Sequence, residues 1–180
     1  MHTLVLLSHP HLDRSKAQLR LFEAVRNLPG VDARHLESLY PDGRIDVASE
    51  QAAAARADRI VFQFPFFWYS TPPMLKTWQD DVLAFGWAYG PGGTHLHGKT
   101  LQAVLSTGGP QATYQPDGYN RYEIRELLRP LEVTAGLTGM KFAEPMVLWG
   151  VANIPGLNVP GDRGPAIGEF AAAYRALLAS

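Results

Sequence analysis

Residues 59–78 hold the feature that most constrains the fold. A β-branched apolar run (Arg59-Ile60-Val61-Phe62) ends at Pro65, the aromatic cluster Phe66-Phe67-Trp68-Tyr69 follows, and Thr71-Pro72-Pro73 opens an amphipathic segment. This reads as strand, aromatic loop and helix, with Thr71 as N-cap and Pro72 at the first helical position. A loop of this kind lies at the carboxyl end of a strand, where open α/β sheets bind ligands, and flat aromatic side chains there suit a flat aromatic ligand. Packing of Phe66, Phe67 and Trp68 into a core or a dimer interface accounts for the stretch equally well.

The rest of the chain repeats the alternation. Strands are expected at residues 3–8, 31–39, 59–64, 99–107 and 141–149. Helices are expected at 15–27, 46–58, 72–85, 119–136 (interrupted near Pro130) and 166–178. The first helix carries Leu19, Phe22, Val25 and Arg26 at helical spacing. The second strand is partly polar, as at a sheet edge. Strand–helix alternation implies a doubly wound parallel sheet, α/β, in three α/β/α layers. Five strands at this spacing favour the flavodoxin-like order 2-1-3-4-5 with a switch point between strands 1 and 3. The 180 residues suit one domain, spanning 1–180. The long Gly/Pro-rich loop at 150–164 is expected to serve function or an interface.

Composition narrows the class. Hydrophobic residues make up 46% and charged residues 18%, as in a globular chain, and the net charge of −1 argues against nucleic-acid binding. It also argues against a flavodoxin-type electron carrier, which needs a strongly acidic face for steering. With no cysteine there is no disulfide framework, no thiolate catalysis and no Cys-ligated metal. The apolar run at residues 4–7 is too short for a signal peptide, so a cytoplasmic protein is expected, with peripheral association at the inner face of the cell membrane left open.

In this topology three loops surround one crevice: residues 9–15, 65–70 and 107–117. Arg14-Ser15-Lys16 at a helix start combines backbone N–H groups, a hydroxyl and two cations, a phosphate site in outline, although ordinary N-capping explains Ser15 as well. Thr107-Gly108-Gly109 lets backbone approach a planar ring. Cradle, aromatic wall and glycine shelf together fit a flavin mononucleotide. There is no G-x-G-x-x-G, no P-loop and no G-x-S-x-G elbow. His9/His11 and His95/His97 lack a third ligand at metal-site spacing, so no metal is expected.

Taken together, His9-Pro10, Leu39-Tyr40-Pro41-Asp42, Phe64-Pro65-Phe66-Phe67-Trp68-Tyr69-Ser70-Thr71-Pro72-Pro73, Gly86-Trp87-Ala88-Tyr89-Gly90-Pro91-Gly92-Gly93, Leu96-His97-Gly98-Lys99 and Thr107-Gly108-Gly109 resemble the NAD(P)H:quinone oxidoreductase family of flavodoxin-like flavoproteins. The likeness is greatest to the bacterial branch that includes the ancillary oxidoreductase of the glutathione-gated potassium efflux system. The resemblance implies FMN, with FAD as the alternative, and NAD(P)H as co-substrate. It also implies a homodimer and two-electron ping-pong hydride transfer to a quinone. A nitro- or azoreductase, or a regulatory subunit bound to a membrane potassium efflux protein, are the alternatives it implies. Carried onto this chain, it places His9, Ser15, Lys16, Ala17 and Gln18 at the phosphate and ribityl end. Phe66, Phe67, Trp68 and Tyr69 fall along the isoalloxazine, and Ser106, Thr107, Gly108 and Gly109 at its pyrimidine edge. It puts residues 86–93 near the active site and the second subunit. Residues 110–114 depart from the mammalian pattern, and Tyr114 is a catalytic candidate by position.

Overall fold

The computed structural model describes residues 1–152 and 162–179. The first strand, β1 (Thr3–Leu7), leads through a short 3-10 turn to α1 (Lys16–Val25) and then to β2 (Val31–His35). Two further helices, α2 (Leu36–Leu39) and α3 (Val47–Arg56), precede β3 (Arg59–Pro65) and α4 (Pro73–Val82). The second half runs β4 (Thr100–Ser106), α5 (Ile124–Leu127), α6 (Arg129–Leu137), β5 (Lys141–Phe142), β6 (Met146–Leu148) and α7 (Gly164–Ala179). The sheet is parallel in the order β2-β1-β3-β4-β5, with β6 also on β4. This is the expected flavodoxin-like order, and the polar β2 is indeed its edge.

The central strands are buried along nearly their whole length, because helices cover both faces of the sheet. One face carries Leu4, Leu6, Ile60, Phe62 and Leu105 against Trp78 of α4 and Ala54 of α3. The other carries Val5, Val61 and Val104 against Leu21 and Val25 of α1 and Tyr174 of α7. The buried face of α1 thus contains Leu21 beside Phe22 and Val25, whereas Leu19 faces outward.

Several expected boundaries shift for identifiable reasons. The second strand stops at His35, and the next four residues form a helical turn that drops Leu36 into the core. The N-cap of α4 is Pro72 and Pro73 takes the first turn, one residue later than expected. Residues 119–123 are not helical; Glu123 caps α5 through a capping box with Glu126, and Leu128 breaks α5 from α6. The helix expected at 15–27 ends at Val25, the one at 46–58 covers Val47–Arg56, and α7 starts two residues earlier than expected.

The fifth strand is broken into β5 and β6. Thr100 and Leu101 pair with Lys141 and Phe142, but Val104 pairs with Met146, so one extra residue enters between the two ladders. Pro145 has no N–H to give. The side chain of Gln102 fills the gap by donating from Nε2 to the Glu144 carbonyl at 2.6 Å. Of the 150–164 loop, residues 153–161 lie outside the described residues.

Candidate functional site

The carboxyl ends of β1, β3 and β4 open on two adjoining cavities. The first, of about 820 Å³, is lined by His9, Ser15, Lys16 and Ala17 from the first loop and α1, and by Asp162, Arg163 and Ile167 from the approach to α7 and its first turn. The second, of about 440 Å³, lies between Pro65, Phe66, Phe67 and Trp68 on one side and Ser106 and Gly108 on the other. Val151 lines both.

The first cavity is built to hold an anion. Ser15 caps α1, its Oγ accepting from the Gln18 amide at 3.2 Å. The amides of Lys16 and Ala17 have no acceptor among the described residues, as expected in a first helical turn. Arg14, Lys16, Arg20 and Arg163 bring four cations to the wall against one carboxylate, Asp162. Arg163 donates from Nη2 to the Trp149 carbonyl at 2.6 Å, while its Nε is buried without a partner among the described residues. An unmet buried donor in a cationic wall fits a phosphate.

His9 joins the first two loops. Its Nδ1 accepts from the His11 amide at 3.1 Å, so Nε2 carries the proton of the neutral ring. The ring meets Phe67 edge-on with centroids 5.8 Å apart. Burial lowers its pKa; Glu37 opposes this, and His35 and His11 reinforce it. A neutral His9 is therefore a single N–H donor at neutral pH. Beneath it, the Ser8 hydroxyl donates to Glu37 Oε1 at 2.6 Å, and His35 Nε2 lies 3.2 Å from Glu37 Oε2 and 3.1 Å from the His9 carbonyl.

The second cavity has an aromatic wall and a backbone floor. Phe66 donates its N–H to the Ser106 carbonyl at 2.8 Å, tying the aromatic loop to β4. Phe67 to Ser70 then form a tight turn closed by Ser70 N–H to the Phe67 carbonyl at 2.9 Å. Trp68 (φ 47°) and Tyr69 (φ 61°) are both left-handed, a type I′ geometry that bulky residues rarely adopt. Their amides, like those of Gly108 and Gly109, make no hydrogen bond among the described residues. Thr107 is fixed by its hydroxyl to the Gly109 carbonyl at 2.8 Å and by its amide to Leu148.

Nine of the residues expected at the site line one of these cavities: His9, Ser15, Lys16, Ala17, Phe66, Phe67, Trp68, Ser106 and Gly108. Gln18 lies buried behind the wall, donating from Nε2 to Ser106 Oγ at 2.8 Å. Thr107 and Gly109 shape the shelf without lining it, and Tyr69 points to Asn120. Tyr114 packs between Phe66 and Trp149 and lines a separate cavity of about 320 Å³ with Glu123 and Glu144. Burial, and then Tyr69, push its phenol pKa up. Residues 86–93 line neither of these two cavities. His95 stacks on Trp87, and His97 packs on Gly139.

Val151, Arg20, Arg163 and Asn120 were not singled out from the sequence. Val151 reaches the site because Gly150 and Val151 donate their amides to the Gly109 and Thr107 carbonyls. Nothing local to residues 150–152 signals that pairing. Arg125 and Arg129 are engaged with Glu132 and, for Arg125, Glu144.

A parallel sheet in this order, with an anion cradle and an aromatic shelf at its carboxyl edge, defines a flavodoxin-like protein. Comparison with known proteins agrees: the flavodoxin-like fold family matches residues 1–178, and the chain belongs to it. It is 46% identical over 142 residues to YdeQ of Bacillus subtilis, described as an uncharacterized NAD(P)H oxidoreductase (79% of this chain, 72% of the relative). Among solved structures, general stress protein 14 of Treponema denticola in complex with FMN is 34% identical with a TM-score of 0.86, over 99% of this chain and 97% of that one. An NADPH-quinone reductase of P. pentosaceus is 30% identical with a TM-score of 0.85, over 98% and 97%. A protein from Streptomycin violaceusniger described as a thermophilic tryptophan halogenase is 40% identical with a TM-score of 0.90, over 98% of both chains.

Proposed function

We propose that this protein is an FMN-dependent NAD(P)H:quinone oxidoreductase. The observation that carries the reading is the pairing of two adjoining cavities at one sheet edge. One has a surplus of cations and helix amides unpaired among the described residues, and the other has aromatic walls and backbone N–H groups likewise without an acceptor among the described residues. The FMN complex of one relative and the naming of others as an NAD(P)H oxidoreductase and an NADPH-quinone reductase support it.

Bound here, FMN would accept a hydride from NAD(P)H and pass two electrons on to a quinone; that chemistry belongs to the cofactor. The chain's part is to hold and orient. Lys16, Arg14 and Arg163, with the first amides of α1, would hold the phosphate. Neutral His9 would donate through Nε2. Phe66, Phe67 and Trp68 would wall the ring, and the free amides of Trp68, Tyr69, Gly108 and Gly109 would stabilise negative charge on it. Donor and acceptor would alternate in the same cleft, so the kinetics are expected to be ping-pong. Trp68 is 93% exposed and Phe85 and Tyr119 are also open to solvent, surfaces that a second copy of the chain would cover in a homodimer.

The test is a steady-state analysis of FMN-loaded protein, varying NAD(P)H at several fixed quinone concentrations. Parallel double-reciprocal lines are expected. Intersecting lines would exclude alternation in one cleft, and no turnover with any quinone would remove the acceptor assignment.

A further inference from the structure

We propose that Asn120 is a positioning residue for the ring cavity, acting through Tyr69. The proposal rests on the flavin-site reading for its catalytic consequence and on geometry alone for the contact itself.

Among the described residues, the non-glycine residues with positive φ are Trp68, Tyr69 and Arg121. They fall on the two sides of one hydrogen bond, from the Tyr69 hydroxyl to Asn120 Oδ1 at 3.0 Å. Two consecutive left-handed aromatic residues are strained and persist only where their surroundings over-determine them. The turn's own closing bond, from Ser70 to Phe67, is one restraint; the bond to Asn120 ties the turn to a second loop.

Asn120 is itself held firmly enough to serve as an anchor. Its amide donates to the Thr113 carbonyl at 2.8 Å, and its Nδ2 donates to Thr113 Oγ1 at 3.3 Å. Thr113 is tied in turn to the Pro110 carbonyl by both its amide and its hydroxyl. The chain doubles back so tightly that a Cβ on Gly118 would sit 2.5 Å from the Ala112 carbonyl oxygen. The loop after β4 is thus a clasp on the loop after β3. The clasped ring of Tyr69 meets Phe66 edge-on, with centroids 6.3 Å apart, and Phe66 lines the ring cavity. Fixing Tyr69 therefore fixes both the left-handed turn and the Phe66 wall.

Amide hydrogen exchange across residues 66–70, read with and without added FMN, tests the clasp. Tyr69→Phe and Asn120→Ala are each expected to speed exchange of the Ser70 amide about threefold to tenfold, the worth of one net hydrogen bond. Asn120→Asp keeps an acceptor for the Tyr69 hydroxyl and is expected to stay near the parent rate. In the FMN-loaded protein the first two variants are expected to raise the quinone KM several-fold while retaining the flavin.

Unchanged Ser70 exchange in both Tyr69→Phe and Asn120→Ala overturns the clasp. Faster exchange with an unchanged quinone KM overturns the positioning role. Should Asn120→Ala also loosen β1 and α4, Tyr69→Phe decides, since it removes only a half-exposed hydroxyl. If the protein takes up no flavin, the functional reading falls while the exchange measurement still settles the clasp.

Discussion

Gln18 of α1 donates from its side-chain nitrogen to the hydroxyl of Ser106 at the end of β4, 2.8 Å away and fully out of solvent. Gln63 of β3 donates to both the side-chain and the main-chain oxygen of Gln18 at 3.0 Å. This buried amide chain joins the helix that caps the anion cavity to the strand that floors the ring cavity.

Removing one member strands its partner. Ser106→Ala leaves a buried Gln18 N–H unpaired and is expected to cost about 1–3 kcal/mol. Gln18→Leu is expected to cost a similar amount. The double variant should cost less than the sum, because the two side chains share one bond. Urea midpoints for the four proteins of this cycle give the coupling directly.

Glu50 lies with no solvent exposure between Arg34 (2.7 Å), the Tyr40 hydroxyl (2.6 Å) and the Trp78 indole N–H (2.8 Å). Removing Glu50 leaves the Tyr40 hydroxyl and the buried Trp78 N–H without their acceptor, while Arg34 keeps only Asp32, at 2.9 Å. Glu50→Ala is expected to lose roughly 3–5 kcal/mol in urea unfolding. A loss below about 1 kcal/mol would contradict this reading of the cluster.

The Glu37–His35 pair makes stability depend on pH. Burial raises the Glu37 pKa, but hydrogen bonds from His35, Ser8 and the His9 amide outweigh it, leaving it below the usual carboxylate value. Its contribution is present above that usual value and is lost as pH falls through the lowered one. Burial depresses His35, but Glu37 and the His9 carbonyl outweigh it, leaving its pKa raised. Its contribution is present below the ordinary imidazole value and is lost as pH rises through the raised one. Both act together between the ordinary carboxylate and imidazole values. The stability difference between the parent and His35→Gln, from urea curves across pH 4 to 9, should be largest there and shrink on either side.

Lys16→Ala is expected to weaken FMN binding about tenfold or more, the worth of a charge-assisted contact. Riboflavin, which lacks the phosphate, should bind parent and variant alike. Fluorescence titration with both flavins separates the two cases, and an equal loss for both would place Lys16 away from the phosphate.

Strands 1, 3 and 4 were legible because parallel strands covered on both faces are largely apolar runs, as Leu4-Val5-Leu6-Leu7 and Ile60-Val61-Phe62 are. The strand order followed from alternation, and with it the meeting of the three loops. The break at residues 143–145 was not legible, because it depends on a side chain of β4, Gln102, reaching the Glu144 carbonyl. The face of α1 was misread at Leu19, since α1 packs against both the sheet and α7 and buries Leu21 instead. Single residues such as Val151 and Asn120 carry no local pattern; backbone pairing with Thr107 and Thr113 brings them to the site.

The central claim is that this cleft holds a flavin that cycles between nicotinamide and quinone. The most direct test is the absorbance spectrum of the protein after incubation with FMN and removal of excess, followed by anaerobic addition of NAD(P)H and then quinone. The account predicts a retained flavin band that bleaches with NAD(P)H and returns with quinone. Protein that emerges without flavin, from FMN and FAD alike, would contradict it.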